Sequence, residues 1–220
     1  MSASAAAVFH DPEEYLEYLN SPGIWGAETR LATKGGFHAE LMTRNVGGIA
    51  CIRGRLSTTI FRMGASGADK VSLGWTDAPT IRNGVEIGPG ELFLHTGSGG
   101  FEYQLRAEFP YAFRTIAIPN AAFRLLCDDK LPASARIRPS PEALAHFLRI
   151  HRAAMAKEAS PGDLVHVAIK CLGSAGFVAA DPSTFASGAQ LDWLAPRLAY
   201  VGPPASPRLE VLDEPPEECP

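Results

Sequence analysis

The pattern of apolar and polar positions divides the chain into two parts. Over residues 37–118 the apolar residues occur in short runs with a period of about two, which is typical of β-strands. In one run Val71, Leu73 and Trp75 alternate with small or polar residues, so we expect one packed face and one face toward water or a ligand. After residue 118 the period lengthens to nearly four, which predicts helices.

Short strands at regular spacing predict a β-barrel or jelly roll. The strand candidates are Phe37–Met42, Gly48–Arg53, Ser57–Met63, Lys70–Trp75, Thr80–Ile87, Glu91–His95, Phe101–Leu105 and Tyr111–Ile118. Asn83-Gly84 interrupts one of them and favours a type I′ turn, because both residues tolerate positive φ. Pro89-Gly90 predicts a second strand, turn and strand within residues 85–100.

Helix start signals occur at several places outside this region. Pro12–Leu19 follows an aspartate and carries apolar residues at helical spacing, and Ala121–Leu126 is a predicted connecting helix. Ser140 and Ser160 each precede a proline, with an acidic residue within the first turn. The two helices that begin there are expected to form a hairpin, whose partner surface is either the barrel or another subunit.

The apolar residues of the predicted helical hairpin indicate a homodimer. The first helix of the hairpin places Leu144, Phe147, Leu148 and Met155 on one face, and the second carries another apolar stripe, Leu164, Ala168, Ile169 and Leu172. A two-helix hairpin of this length cannot cover both stripes, so apolar surface is expected to remain for a second subunit. The first set is therefore the predicted dimerisation surface.

The chain as a whole is expected to be β-rich (α+β) with four segments. These are an N-terminal extension with a short helix (1–33), a barrel (34–119), a helical dimerisation segment (120–173) and a poorly ordered tail rich in proline and acidic residues (174–220). No stretch of 18 apolar residues and no secretory leader is present, which predicts a cytoplasmic chain without a membrane partner.

Composition narrows the function classes. The formal net charge of −4 argues against a nucleic-acid footprint over the whole chain, although a local basic patch remains allowed. The cysteines are far apart, which favours reduced, buried thiols. A metal-binding cupin needs several histidines and a carboxylate that converge. The barrel segment offers only His38 and His95 without a His-x-His pair, so we expect neither a metal nor a cofactor.

No nucleophile motif is present, so we predict no catalytic residues and no enzyme activity. The ligand-binding candidates are Trp75, His95, Tyr103 and Arg53. The two aromatic residues are candidates for lining an apolar pocket, and the arginine for pointing inward toward an acidic ligand. The alternatives are an aromatic core, a packing histidine and a surface arginine.

Several segments together resemble the N-terminal sensor half of arabinose-type (AraC) transcriptional regulators, over about residues 8–170. The resemblance rests on a penultimate hairpin with Ile87–Leu92, a last strand ending in Ile118-Pro119, and a helical pair opened by Arg138–Pro141. Asp11–Glu14 before a helix and Gly36–Leu41 as the first barrel strand fit as well. The resemblance implies a cupin-like jelly roll that binds a small effector or a partner, followed by dimerising helices.

The chain departs from that family after Leu172. The family reads DNA with two C-terminal helix-turn-helix units of roughly a hundred residues, and the remaining sequence is not long, basic or helical enough to supply them. We therefore expect no direct DNA binding by this chain, which is either a stand-alone module or the product of a frameshift or premature stop. The alternative function is a small cupin-type enzyme or small-molecule-binding protein with a pocket near His95.

Overall fold

The computed structural model describes residues 5–21, 28–33, 36–57, 60–65, 70–82, 85–96, 100–105, 110–124, 131–132 and 134–177. The tail from residue 178 and the Asn83-Gly84 turn lie outside this part of the chain. The predicted fold class is confirmed, because a β-rich, cupin-like arrangement of antiparallel strands is followed by a helical hairpin.

The strands of the described residues, in chain order, are β1 (Ala5–Phe9), β2 (Glu28–Thr33), β3 (Ala39–Val46), β4 (Ile49–Leu56), β5 (Ile60–Ala65), β6 (Lys70–Thr76), β7 (Thr80–Arg82), β8 (Val85–Ile87), β9 (Leu92–His95), β10 (Gly100–Leu105), β11 (Tyr111–Pro119) and β12 (Ser134–Ile137). They form a larger sheet in the order β1-β3-β4-β11-β6-β9-β12 and a smaller sheet in the order β2-β5-β10-β7-β8. The sheets face each other, since the Arg82 guanidinium of β7 lies 3.3 Å from the ring centroid of Phe93 on β9.

Two strands lie within the segment predicted to be an N-terminal extension. β1 pairs with β3 in the larger sheet, and β2 pairs with β5 in the smaller one. β12, which pairs with β9, likewise lies in the segment predicted to be helical. These strands are short and have little alternation of polar and apolar residues, so their sequences alone do not reveal them.

The Pro89-Gly90 turn does not close a hairpin, which corrects the sequence prediction. β8 pairs with β7 in the smaller sheet, whereas β9 pairs with β6 and β12 in the larger sheet. The turn therefore carries the chain from one sheet to the other. Glu91 fixes it, because its backbone N–H donates to the Gly88 carbonyl and its carboxylate accepts from the Gly88 N–H, both at 3.0 Å.

The helices begin where the sequence predicts. They are α1 (Pro12–Asn20), α2 (Asn120–Arg124), α3 (Pro141–Ala156) and α4 (Pro161–Ser174). The Ser140 hydroxyl accepts from a backbone N–H in the first turn of α3, and Ser160 forms a reciprocal capping box with Asp163 at the start of α4. α3 ends at Lys157, whose φ of 72° is left-handed and stops the helix.

The helical hairpin packs on the outer face of the larger sheet. Strand residues such as Cys51, Leu73 and Ile116 share one buried core with α3 and α4. Arg44 of β3 ties the end of α3 to this face, since its Nη1 donates to the Ala154 and Met155 carbonyls at 3.3 and 2.6 Å. Of the two partner surfaces considered from the sequence, the hairpin thus covers its own barrel. The opposite face of the sheet faces the barrel interior.

Candidate functional site

A row of small side chains leads to His95 on the inner face of the larger sheet. Ala50, Ala117, Ser72 and His95 lie directly opposite one another across β4, β11, β6 and β9, and we call them the His95 row. All four are buried. Because three of them are alanine or serine, the side chains next to the imidazole in this row are small.

The neighbouring inner row is more tightly filled. A Cβ placed on Gly74 would run into the ring of Phe93, so only glycine lets this ring lie flat on β6. The guanidinium of Arg82 stacks on that same ring. The interior next to the His95 row therefore carries a cation on an aromatic platform, an arrangement suited to a polar or acidic ligand.

Two hydroxyl groups add polar character to the interior. The Oγ1 atoms of Thr80 and Thr115 are buried, and neither has a hydrogen-bond partner among the described residues. Buried hydroxyl groups normally form a hydrogen bond with protein, water or a ligand. Burying a hydroxyl group without such a bond costs about 1–3 kcal/mol. These atoms are accordingly places where a bound small molecule or water would gain hydrogen bonds.

The structure separates the residues predicted to bind a ligand. His95 faces the interior, but Trp75 and Arg53 lie on the outer face, because they share it with Leu73 and Cys51 of the core under the helices. The indole N–H of Trp75 donates to the Pro89 carbonyl at 2.6 Å. These two residues therefore form no common pocket with His95, which corrects the prediction.

Tyr103 is placed only by its backbone. It lies opposite Arg82 and Arg62 in the register of the smaller sheet. Arg82 itself, which reaches the interior, was missed by the sequence analysis. Arginine is usually a surface residue, and β7 has only three residues, too few to show a period.

The predicted dimerisation residues occupy two environments. Phe147 is completely buried in the core between α3 and the sheet. Leu144, Leu148 and Met155 are half-buried at its margin and pack against the same core. The stripe of α4, comprising Leu164, Ala168, Ile169 and Leu172, is buried within the chain. The surface available to a second subunit along these helices is thus the flank of α3 alone.

His151 links α3 to the sheet in a neutral state. It is fully buried, and its Nε2–H donates to the Ile52 carbonyl at 2.9 Å. Burial lowers the pKa of His151 from 6.5 to about 4, and the nearby charges of Arg114 and Arg53 act in the same direction, against the raising effect of the backbone hydrogen bonds. Its role is structural, and it makes the packing of the hairpin sensitive to acid.

Other groups with metal-binding or redox chemistry are isolated. Within the described ranges, no group of three or more histidine, cysteine, aspartate or glutamate side chains is arranged to hold a metal ion. Cys51 and Cys171 are free and buried, as predicted for these two thiols, and burial raises the pKa of each to about 12. They are poor nucleophiles in this state. No described helix is long and apolar enough to cross a bilayer.

Comparisons with known proteins support the fold. No protein-family model matches the sequence, and no curated protein matches it. The chain is similar to the AraC-like transcriptional activator CuxR, with 14% identity over 92% of this chain and 72% of that chain, at a TM-score of 0.50. Two mutants of Bacillus subtilis oxalate decarboxylase OxdC align with TM-scores of 0.26 and 0.27 at 12% and 9% identity. They cover 53% and 81% of this chain and 30% and 41% of theirs. Only the similarity to CuxR carries an argument, and it shows a shared fold.

Proposed function

We propose that this chain is an effector-sensing and dimerising module of the AraC regulator type, which acts in the cytoplasm without binding DNA by itself. The observation that carries the proposal is the fold shared with an AraC-like activator along 92% of the chain. Fold alone does not define function, so the site must supply the remaining support.

The barrel interior supports binding of a small effector. The His95 row places small side chains beside an imidazole, and Thr80 and Thr115 offer buried hydroxyl groups that lack partners among the described residues. Arg82 adds a cation on the Phe93 ring. A small polar molecule with hydroxyl or carboxylate groups is the ligand that this set of donors and acceptors matches.

The helical hairpin supports dimerisation but not DNA reading. α4 is buried along most of its length between α3 and the sheet, so it is not available to enter a major groove as a recognition helix. The flank of α3 formed by Leu144, Leu148 and Met155 is apolar and half-buried, which suits a helix-to-helix contact between subunits.

Sedimentation velocity of the full chain at tens of micromolar tests the dimer. We expect a dimer for the wild type and at least about tenfold weaker association for Leu144→Gln and Met155→Gln, because a desolvated amide is costly in such an interface. Ile150→Gln is the matched control, since Ile150 is also half-buried against the core but lies on the other flank of α3. A monomeric wild type, or equal weakening by all three substitutions, would refute this dimer.

The alternative is a cupin-type enzyme or a plain small-molecule-binding protein that uses His95. The His95 row suits a binding protein equally well. A regulator requires in addition that a change in the barrel interior alters dimerisation through the helices. Ser72→Trp, which fills the volume beside His95, discriminates between them. In a regulator it should change the dimer dissociation constant by several fold, and in an independent binding protein it should leave that constant unchanged.

A further inference from the structure

Two arginines and a tryptophan lie side by side on the outer face of the larger sheet, away from the proposed effector site, and a third arginine lies within electrostatic range on α3. Arg53 of β4 lies directly opposite Arg114 of β11, which in turn lies directly opposite Trp75 of β6. The Arg114 guanidinium stands 5.5 Å from the centroid of the Trp75 ring. Arg152 of α3 adds its charge from above, close enough to act on Arg114. We call Arg53, Arg114 and Arg152 the arginine cluster.

The three arginines of the cluster differ in burial and in hydrogen bonding. Arg114 is half-buried, and its Nη1 donates to the Leu148 carbonyl of α3 at 3.2 Å, which leaves further N–H donors of the guanidinium for other acceptors. Arg53 and Arg152 are exposed. Burial, followed by the charges of Arg152 and Arg53, lowers the pKa of Arg114. Like charges directly opposite in a sheet are destabilising, so Arg53 and Arg114 together lower the stability of this face.

Within the described ranges, Asp77 is the carboxylate that raises the pKa of Arg114, against the larger lowering effects. The charge of Asp77 acts on Arg114, and its Oδ1 already accepts from the Ala112 N–H at 2.6 Å. Arg53 faces the uncharged Met42 on its other side. By contrast, Arg55, one pair further along β4, lies opposite Glu40. In a chain whose formal charge is −4, this local excess of positive charge among the described residues favours a bound anion.

We infer that the arginine cluster is a second ligand site, which binds a small molecule carrying a phosphate or diphosphate group. The planar guanidinium fork matches phosphate oxygens in bidentate fashion, and several forks around one group favour a multiply charged anion over a single carboxylate. Trp75 at the end of the row provides an apolar rim for the rest of the ligand. Arg114 also donates a hydrogen bond to the Leu148 carbonyl of α3. A ligand bound at this site would therefore contact a residue that anchors the helical hairpin.

Isothermal titration calorimetry of the full chain with inorganic pyrophosphate tests the inference at low salt. We expect saturable binding, a higher melting temperature in its presence, and at least about tenfold weaker affinity for Arg53→Gln and Arg152→Gln. Arg55→Gln and Arg149→Gln are the matched controls, because both residues are exposed and lie just outside the cluster. They should change the affinity by less than about twofold.

Each other outcome overturns the inference. Absence of heat and of a melting shift at millimolar pyrophosphate would show that no site exists. Equal losses in the control variants would show unspecific attraction to positive charge. Tighter binding of duplex DNA than of pyrophosphate, with the same loss in Arg53→Gln, would identify a nucleic-acid contact instead. Folding of every variant is checked by circular dichroism, and none of these substitutions touches the interior row.

Discussion

Acid should destabilise the fold through His151, whose pKa is far below its ordinary value. The pKa of this imidazole is about 4 in the folded chain and 6.5 in an unfolded one, because burial opposes its charged form. A proton therefore binds the unfolded chain first as the pH falls below 6.5. From these two values the loss of unfolding free energy is about 2 kcal/mol at pH 5 and about 3 kcal/mol well below pH 4.

The pH window distinguishes the contribution of His151 from that of Glu91. The contribution of neutral His151 to the free energy of unfolding is complete above pH 6.5, the pKa in the unfolded chain. It is lost as the pH falls from there to the folded-state pKa of about 4. For Glu91, burial raises the pKa, but the hydrogen bonds from Arg138 and Gly88 and the charge of Arg136 outweigh it and lower it below its usual value. Glu91 therefore loses its contribution only in more acidic solution. His146, whose pKa is lowered by burial and by Arg149, acts in the same direction as His151.

The assay is urea unfolding of the wild type and of His151→Gln at pH 7 and pH 5. The variant keeps a donor near the Ile52 carbonyl but has no proton to bind, so subtracting its pH dependence removes the contribution of His146. We expect the wild type to lose about 2 kcal/mol more than the variant between the two pH values. Equal pH dependence in both proteins, or an imidazole pKa near 6.5 for His151 by NMR, would refute the reasoning.

Further predictions concern packing, caps and metal. Arg44→Met should cost about 1–3 kcal/mol in urea unfolding, because two carbonyls at the end of α3 lose their donor. Gly74→Ala should cost about 1–3 kcal/mol through its clash with Phe93, whereas Gly90→Ala, with open space around it, should leave the melting temperature unchanged. Ser160→Ala should cost about 1 kcal/mol through loss of the capping box. Dialysis against a chelator should leave the melting temperature unchanged, and elemental analysis should find no stoichiometric metal.

The parts of the fold that the sequence predicts are those with local causes. α3 and α4 begin at Ser140 and Ser160 because a cap oxygen, a proline and an acid act within one turn. The strand positions of β3 to β11 likewise follow from short runs of apolar residues. In contrast, the pairing of β8 and β9 in different sheets depends on distant strands, and the Pro89-Gly90 turn is compatible with either arrangement.

The site is harder to predict because part of the larger sheet is buried on both faces. Ile49–Ile52 are all buried, as the barrel interior covers one face and the helical hairpin covers the other. Alternation then tells which residues share a face but not which face is interior, so the sequence does not reveal that Trp75 lies on the outer face. His95 lies on the interior face, and its role as a ligand-binding residue stays a prediction. Of the arginine cluster, the sequence singled out Arg53 alone, because the other two arginines approach it only in the fold.

The central claim is that this chain pairs two copies as the sensor half of a regulator does. The most direct test fuses the full chain to the DNA-binding half of an AraC-type regulator and measures affinity for a two-site operator by fluorescence anisotropy. If the chain dimerises as proposed, the fusion should bind at least about tenfold more tightly than the DNA-binding half alone, because the second site is then filled at a high effective concentration. Equal affinity of the fusion and the isolated half would contradict the account.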